Sequence, residues 1–177
     1  MPDTLAPAVF IDRDGTLMRD VDYCGDPNEV AVFDGVPNAL HRLKAGGYKI
    51  IVITNQSGIG RGYFNEKTYR AVEAEVARQV GAGVIDATYF CPHSPDEECE
   101  CRKPAPGMVI QAARENSIDL TRSYFIGDKD SDIECGRRAG TKTILVQTGY
   151  GGEADQKAPD IVVADLAAAA RVILKSA

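Results

Sequence analysis

Short apolar runs alternate along this chain with longer segments in which apolar residues recur every three or four positions. The apolar runs are rich in β-branched residues, which is typical of strands. They occupy positions 8–11, 49–54, 84–91, 123–128, 141–148 and 160–163. The segments between them have the period of amphipathic helices. This alternation predicts an α/β protein with a parallel sheet and helices on both faces, in one domain over residues 1–177.

Two of the predicted helices carry recognisable end signals. Pro37 suits the first turn of a helix that closes at Gly46. Asn65 suits the cap of the next helix. The apolar face of that helix would comprise Tyr69, Val72, Val76 and Val80. Further helical patterns occupy 106–117, 130–140 and 164–177. The Gly-rich stretch 149–159 has neither period, and we expect a surface loop there.

Composition and charge narrow the class of protein. The chain has 177 residues, of which 44% are hydrophobic and 26% charged, as in ordinary globular domains. Its net charge of −6 argues against a nucleic-acid-binding surface, and it has no apolar run near the roughly 20 residues of a membrane span. The amino-terminal residues lack the pattern of a signal peptide. We therefore expect a cytoplasmic protein with no nucleic-acid or membrane partner. For so compact a chain, a monomer is the default expectation.

Polar and charged residues follow four of the predicted strands. Because ligands bind beyond the carboxyl ends of parallel strands, these residues are expected to share one site. They are Asp12, Asp14, Gly15 and Thr16, then Thr54, Asn55, Gln56 and Ser57, then Arg102 and Lys103, and finally Asp128, Lys129 and Asp132.

The two aspartates after the first strand admit three interpretations. They could form an Asp-Gly turn, a calcium loop or a catalytic pair, and a calcium loop lacks its further ligands in register. As a catalytic pair, Asp12 and Asp14 would lie on one side of the strand, with Arg13 pointing away. A Mg²⁺ shared with Asp128 would keep Asp12 ionised and nucleophilic, and Asp14 could transfer protons.

The other residues at this edge suit phosphoryl transfer. A transferring phosphoryl group carries charge on three oxygens, so its catalysis is mostly positioning and neutralisation. Thr54 offers a hydroxyl, Lys103 a positive charge and Asp128 an oxygen ligand for Mg²⁺.

Three of the five cysteines lie close together with a histidine. Cys91, His93, Cys99 and Cys101 provide four ligands within eleven positions, the number and type of a closed tetrahedral Zn²⁺ site. Free thiols or a disulfide are the alternatives. We expect a structural zinc in a loop over residues 91–101, which would aim Arg102 and Lys103 at the substrate. No such role is expected for Cys24, Cys135 or His41.

Four stretches, DRDGT, TNQSG, RKP and GDKDSD, resemble in order the four motifs of the haloacid dehalogenase (HAD) superfamily of phosphatases. The resemblance implies a Rossmann-like three-layer sandwich with a mostly parallel central sheet and a covalent aspartyl-phosphate intermediate. It implies Asp12 as nucleophile, Asp14 as acid/base, and Thr54 and Lys103 as stabilisers of the phosphoryl group. Mg²⁺ would bind Asp12, the backbone carbonyl of Asp14 and Asp128, with Asp132 supporting that site from outside its ligands.

Two subgroups of this superfamily share the zinc loop: heptose 1,7-bisphosphate 7-phosphatases and histidinol-phosphate phosphatases. The stretches TNQSGIGRGYF and CRKPAPGM resemble the heptose enzymes more closely. The cations Arg61, Arg102 and Lys129 would also suit the second phosphate of a sugar bisphosphate. The resemblance therefore implies removal of the C7 phosphate in heptose biosynthesis, with histidinol phosphate as the alternative substrate.

The intervals between motifs leave no room for a cap domain. About 40 residues separate the first motif from the second, and about 48 separate the second from the third. We expect an open site shielded only by the loops 18–33 and 57–64 and by the zinc loop. The candidate substrate contacts are Asp20, Tyr23, Asn55, Gln56, Ser57, Arg102 and Lys129.

Overall fold

A computed structural model of the chain describes residues 4–176. Its strands are β1 (Ala8–Ile11), β2 (Lys49–Asn55), β3 (Ala87–Cys91), β4 (Tyr124–Gly127), β5 (Lys142–Val146) and β6 (Ile161–Val163). Its helices are α1 (Val36–Ala45), α2 (Ser57–Gly60), α3 (Glu66–Val80), α4 (Gly107–Glu115), α5 (Asp130–Ala139) and α6 (Leu166–Lys175), with 3₁₀ turns at Pro27–Glu29 and Leu120–Arg122. Residues 1–3 and 177, which belong to the predicted domain 1–177 and in part to the predicted segment 164–177, lie outside the described residues.

All six strands are parallel and lie in the order β3-β2-β1-β4-β5-β6. The sheet separates two apolar cores, because alternate residues of each strand point to opposite faces. In β1, Val9 and Ile11 pack in the core shared with α1, α3 and α6, whereas Ala8 and Phe10 pack with α4 and α5. The predicted three-layer α/β architecture is confirmed.

The predicted helix signals act as expected. Asn65 caps α3 by accepting a hydrogen bond from the Thr68 N–H, and its predicted apolar face is buried. Pro37 lies in the first turn of α1, and Gly46 is the C-cap that follows its last residue. The strand predicted at 84–91 begins only at Ala87, and the single turn α2 was not predicted.

The chain segments between strands contain no room for a second domain. Within residues 4–176, only a 3₁₀ turn and α1 separate β1 from β2, and only α2 and α3 separate β2 from β3. The expected absence of a cap therefore holds for the described part of the chain. None of the helices there is long and apolar enough to cross a membrane.

Candidate active site

A cleft of about 430 Å³ opens at the carboxyl edge of the sheet. Of the four predicted catalytic residues, Asp12, Asp14 and Lys103 line it. All seven candidate substrate contacts line it as well: Asp20, Tyr23, Asn55, Gln56, Ser57, Arg102 and Lys129. Thr54 and Asp128 are fully buried next to this cleft. The topology thus brings together residues from four strand ends, as the sequence predicts.

The floor of the cleft is a buried charge network. The Lys103 ammonium lies 2.7 Å from Asp12 Oδ1 and 2.7 Å from Asp132 Oδ1, and it donates to the Ile53 carbonyl at 2.8 Å. Burial alone would lower the pKa of Lys103, but the charges of Asp12 and Asp132 outweigh it and raise that pKa. Lys103 is therefore held as a cation directly beside the predicted nucleophile.

Asp128 completes a cluster of three carboxylates. Asp12, Asp128 and Asp132 each bring an oxygen within 4.8 Å of the other two. Burial, and then the charge of Asp12, raise the pKa of Asp128 to about 8, and the same two causes raise that of Asp132 to about 6. One ammonium does not neutralise three buried carboxylates, so a hard divalent cation fits this cluster.

Backbone and hydroxyl groups orient this cluster. Thr16 donates its hydroxyl to Asp128 Oδ1 at 3.2 Å, and the Tyr150 N–H donates to Asp128 Oδ2 at 2.9 Å. Asp132 Oδ2 accepts the N–H groups of Asp128 and Lys129 at 3.2 and 3.1 Å. Asp132 thus fixes the turn that carries Asp128, besides pairing with Lys103. The predicted contribution of Asp14 to the metal site, its backbone carbonyl, stays a prediction.

Arg13 does not line the cleft, in keeping with the prediction that it points away, but its side chain reaches Asp14. Its guanidinium donates to Asp14 Oδ1 from Nε at 3.2 Å and from Nη2 at 3.0 Å. β1 ends at Ile11, so the strand alternation on which the prediction rested does not extend to these residues. Gln56 donates to Asp14 Oδ2 at 3.0 Å and to Thr54 Oγ1 at 2.8 Å.

Residues 149–159 form a surface loop, as predicted, and the segment after β5 also contributes to the site. Thr148 donates its hydroxyl to the Gly15 carbonyl at 2.7 Å, and Tyr150 lines the cleft. The contact of Thr148 with Gly15 joins residues 133 positions apart, and no local pattern in the sequence signals it.

Residues of the loops 18–33 and 57–64 line the cleft as well, whereas no residue of the zinc loop 91–101 does. Arg102 and Lys103, which follow that loop, line the cleft instead.

Several candidate substrate contacts also hold one another in place. The Lys129 ammonium lies 3.7 Å from Asp20 Oδ2 and 5.0 Å from the centre of the Tyr150 ring. Asn55 accepts from the Lys103 N–H at 3.0 Å and donates to the Lys103 carbonyl at 3.2 Å. Asn55 thereby fixes the backbone that carries the buried lysine.

The Tyr23 ring packs edge-on against Tyr63 at 4.9 Å, and the Arg61 guanidinium lies 5.8 Å from the Tyr23 ring centre. Cys24, for which no role was expected, is buried and lines the cleft next to Tyr23. Of these four residues, only Tyr23 and Cys24 are among the residues that line the cleft.

The four predicted zinc ligands converge in the loop after β3. His93 Nδ1 lies 3.4 Å from Cys91 Sγ and 3.2 Å from Cys101 Sγ. Tetrahedral Zn²⁺ with bonds of about 2.3 Å places sulfur atoms roughly 3.7 Å apart, and the Sγ atoms of Cys91 and Cys99 are 3.7 Å apart. The Cys91 and Cys101 sulfurs are 2.8 Å apart and would have to separate. The ligand types and their convergence fit zinc.

The thiols of this loop differ in their tendency to ionise. Burial opposes ionisation of Cys99, but hydrogen bonds from the Arg102 N–H and from neighbouring thiols outweigh it and lower the pKa of Cys99. Burial raises the pKa of Cys91 and of Cys101. Three thiols this close do not ionise together without a cation between them.

The comparison with known proteins bears directly on this site. The HAD-hydrolase-like family model matches residues 100–169. The chain is 42% identical to D-glycero-β-D-manno-heptose-1,7-bisphosphate 7-phosphatase of Photorhabdus laumondii, over 96% of this chain and 97% of that relative. It is 43% identical to the enzyme of the same name from Yersinia pestis, over 81% of each chain. The chain belongs to the heptose-bisphosphate phosphatase family of HAD hydrolases.

A solved structure agrees with this family. The fold matches the D,D-heptose 1,7-bisphosphate phosphatase of B. bronchiseptica, complexed with magnesium and phosphate, with a TM-score of 0.89. That alignment has 35% sequence identity and covers 97% of this chain and 99% of the other. As a member of the heptose-bisphosphate phosphatase family, the chain is a phosphoric monoester hydrolase.

Proposed function

We propose that this enzyme removes the C7 phosphate of D-glycero-β-D-manno-heptose 1,7-bisphosphate and leaves the heptose 1-phosphate, a step of nucleotide-activated heptose biosynthesis. The observation that carries the proposal is the buried pairing of Lys103 with Asp12 on the floor of an open cleft. The relatives named above support the choice of substrate and of the β anomer.

In the proposed reaction, an oxygen of Asp12 attacks the phosphorus of the C7 phosphate. The bond from phosphorus to the sugar oxygen breaks, its electron pair stays on that oxygen, and Asp14 gives the oxygen a proton. Water then attacks the phosphorus of the aspartyl-phosphate and returns a proton to Asp14. The bond from phosphorus to the Asp12 oxygen breaks in this second step and regenerates the carboxylate. The products are heptose 1-phosphate, with a free C7 hydroxyl, and inorganic phosphate.

The negative charge of the transferring phosphoryl group would be neutralised by residues that already line or adjoin the cleft. Lys103 supplies a fixed positive charge next to Asp12. The Thr54 oxygen accepts a hydrogen bond from Gln56, so its own hydrogen is free to point at a phosphoryl oxygen. Asp12, Asp128 and the Asp14 carbonyl would hold Mg²⁺, which supplies further neutralisation of the phosphate charge.

The zinc site has a structural role in this proposal. Cys91, His93, Cys99 and Cys101 would fill all four positions of Zn²⁺ and leave none for a substrate. Arg102 follows this loop directly and donates to the His93 carbonyl at 3.3 Å. A fixed zinc loop would therefore fix the direction in which Arg102 approaches the cleft.

Cations at the rim favour a bisphosphate over the alternative substrate. Arg102 and Lys129 line the cleft and could meet a second phosphate, whereas histidinol phosphate carries cationic groups in place of that phosphate. Asp20 is already paired with Lys129 and is less suited to meet a substrate cation.

The test is kcat/KM, with Mg²⁺ present, for both anomers of heptose 1,7-bisphosphate and for histidinol phosphate. We expect the β anomer to be preferred by at least ~100-fold, about 2.7 kcal/mol in the transition state. A preference for histidinol phosphate would overturn the proposed substrate. A preference for the α anomer would overturn only the proposed anomer preference and leave the proposed reaction standing.

A further inference from the structure

Both carboxylate oxygens of Asp14 are held by other side chains. Oδ1 accepts from Arg13 Nε and Nη2, and Oδ2 accepts from Gln56 Nε2. Arg13 Nη2 also donates to Gln56 Oε1 at 3.3 Å. The three side chains therefore form a closed hydrogen-bonded ring, which fixes the rotation of the Asp14 carboxyl about its last bond.

Of the two charged side chains in this hydrogen-bonded ring, only that of Asp14 lines the cleft. Arg13 is 2% exposed and does not line the cleft, whereas the Asp14 side chain is 17% exposed and lines it. Gln56 is 4% exposed, and its amide donates to Asp14 and to Thr54. Arg13 can therefore influence a substrate in the cleft only through Asp14 and Gln56, and the Gln56 amide nitrogen is occupied by protein partners.

The two Asp14 oxygens are not equivalent. A carboxylate oxygen has two lone pairs, and both hydrogen bonds to Oδ1 come from Arg13. Oδ2 accepts one hydrogen bond, from Gln56, and keeps a lone pair for a proton. The ring thus designates Oδ2 as the oxygen that exchanges a proton with the leaving group and with water.

Arg13 is itself fixed from behind. Its guanidinium carbon lies 5.9 Å from the centre of the Tyr69 ring, and Tyr69 is fully buried in α3. α3 thereby supports the hydrogen-bonded ring through a residue that does not line the cleft.

We propose that Arg13 and Gln56 are positioning residues, which hold Asp14 so that Oδ2 delivers its proton to the oxygen leaving phosphorus. This rests on the proposed function, in which Asp14 is the acid/base. The hydrogen bonds predict a specific defect in their variants: loss of proton delivery, with phosphoryl transfer to Asp12 otherwise retained.

A pair of substrates separates these steps. The alkoxide leaving from a sugar phosphate needs a proton, whereas the phenolate leaving from p-nitrophenyl phosphate departs without one. kcat/KM reports the steps up to leaving-group departure, and so it excludes the later hydrolysis of the aspartyl-phosphate. For Arg13→Met and Gln56→Met, we expect kcat/KM to fall at least ~10-fold more for heptose 1,7-bisphosphate than for p-nitrophenyl phosphate.

The matched control is Arg70→Met. The Arg70 guanidinium lies 5.7 Å from the centre of the same Tyr69 ring, but its hydrogen bonds go to Glu66 and Glu73 on the helix surface. This variant should lower kcat/KM for both substrates by the same small factor. Arg13→Lys, which keeps a donor near Oδ1, should recover part of the sugar-phosphate rate.

Equal losses on both substrates in Arg13→Met and Gln56→Met would overturn the proposal. If Arg13→Met does not fold, Gln56→Met and Arg13→Lys still carry the comparison. If the wild-type enzyme fails to hydrolyse heptose 1,7-bisphosphate, the proposed function is wrong. The same comparison is then made with whichever alkyl phosphate the wild type does hydrolyse, so the two failures are distinguishable.

Discussion

Lys103 Nζ lies 2.7 Å from Asp12 Oδ1, and both side chains are almost completely buried. The same ammonium pairs with Asp132. Replacing Lys103 with Met leaves two buried carboxylates without their cation, which typically costs about 3–5 kcal/mol. We expect Lys103→Met to lower the free energy of unfolding by that amount in urea denaturation, and to abolish turnover.

Lys129→Met is the control for this prediction. Lys129 lies at the same cleft, but its side chain is 41% exposed and its pairing with Asp20 is long. Partly exposed pairs contribute up to about 1 kcal/mol. A stability loss in Lys103→Met no larger than in Lys129→Met would contradict the importance given to the buried pair.

Asp12→Asn tests the nucleophile. The amide is nearly the same size as the carboxylate and can still accept from Lys103, but it does not form the aspartyl-phosphate. We expect kcat to fall by at least ~1,000-fold, with bound zinc and the unfolding midpoint little changed. Turnover that survives in protein purified free of wild type would reject Asp12 as nucleophile.

Gly149 is predicted to tolerate no side chain. Its φ is +56°, and a Cβ there would lie 2.7 Å from Gly15 Cα and closer still to the Asp128 carboxylate. Gly149→Ala should displace the loop, break the bond from the Tyr150 N–H to Asp128 and weaken Mg²⁺ binding by at least ~10-fold. The measurement is the Mg²⁺ dissociation constant from calorimetric titration.

Gly152→Ala is the matched control in the same loop. A Cβ at Gly152 would meet nothing within 4 Å, and its backbone is not in the left-handed region. Its Mg²⁺ affinity should equal that of the wild type. Equal affinity in Gly149→Ala would show that this loop does not orient Asp128.

The zinc proposal predicts one tightly held metal that depends on the clustered thiols. Cys99→Ser should lose stoichiometric zinc and lower the melting temperature by several degrees, since structural zinc contributes to folding. Cys135→Ala removes a buried thiol outside the cluster and should retain zinc. Elemental analysis of purified protein measures both. Zinc in Cys99→Ser at the wild-type level would contradict the ligand set.

Asp128 predicts a pH dependence of stability in chelator-treated protein. Burial and the Asp12 charge raise the pKa of Asp128 to about 8, from an ordinary 3.8. Between these values the folded state holds a proton that the unfolded chain has released, so stability falls as pH rises through this window. Mg²⁺ binds the ionised form, and it should therefore raise the melting temperature more at pH 8 than at pH 5.5.

Asp128→Asn is the control, because the amide does not titrate. Without Mg²⁺, the stability of this variant should fall less than that of the wild type between pH 5.5 and pH 8. An equal effect of Mg²⁺ at the two pH values in the wild type would contradict the raised pKa.

The parts of the site that depend on the sequence of strands and helices, or on residues close together in the chain, were predictable. The parallel sheet follows from the alternation of strands and helices, and strand ends such as Thr54 and Asp128 then converge without knowledge of any contact. The zinc ligands also lie close in sequence. Asn65 caps α3 because its own side chain meets a backbone N–H three residues on.

The features that the sequence did not predict are of two kinds. Some are contacts between residues far apart in the chain, and others depend on the backbone conformation after a strand has ended. The hydrogen bond from Thr148 to Gly15 joins the loop after β1 to the loop after β5, and neither residue type indicates such a contact. The turn of Arg13 onto Asp14 arises because the strand ends before these residues. Gln56 was correctly placed at the cleft, but its amide contacts protein groups that only the folded geometry brings near.

In this parallel sheet the active-site residues lie at the carboxyl ends of the strands. The turns at the amino ends of the strands only connect helices to strands. There, the turn between α1 and β2 contains Gly47, which is exposed and where an added Cβ would meet nothing within 4 Å. That turn is the natural place to insert a tag, a fluorophore or a surface anchor, since an enzyme tethered there would present its cleft to the solution.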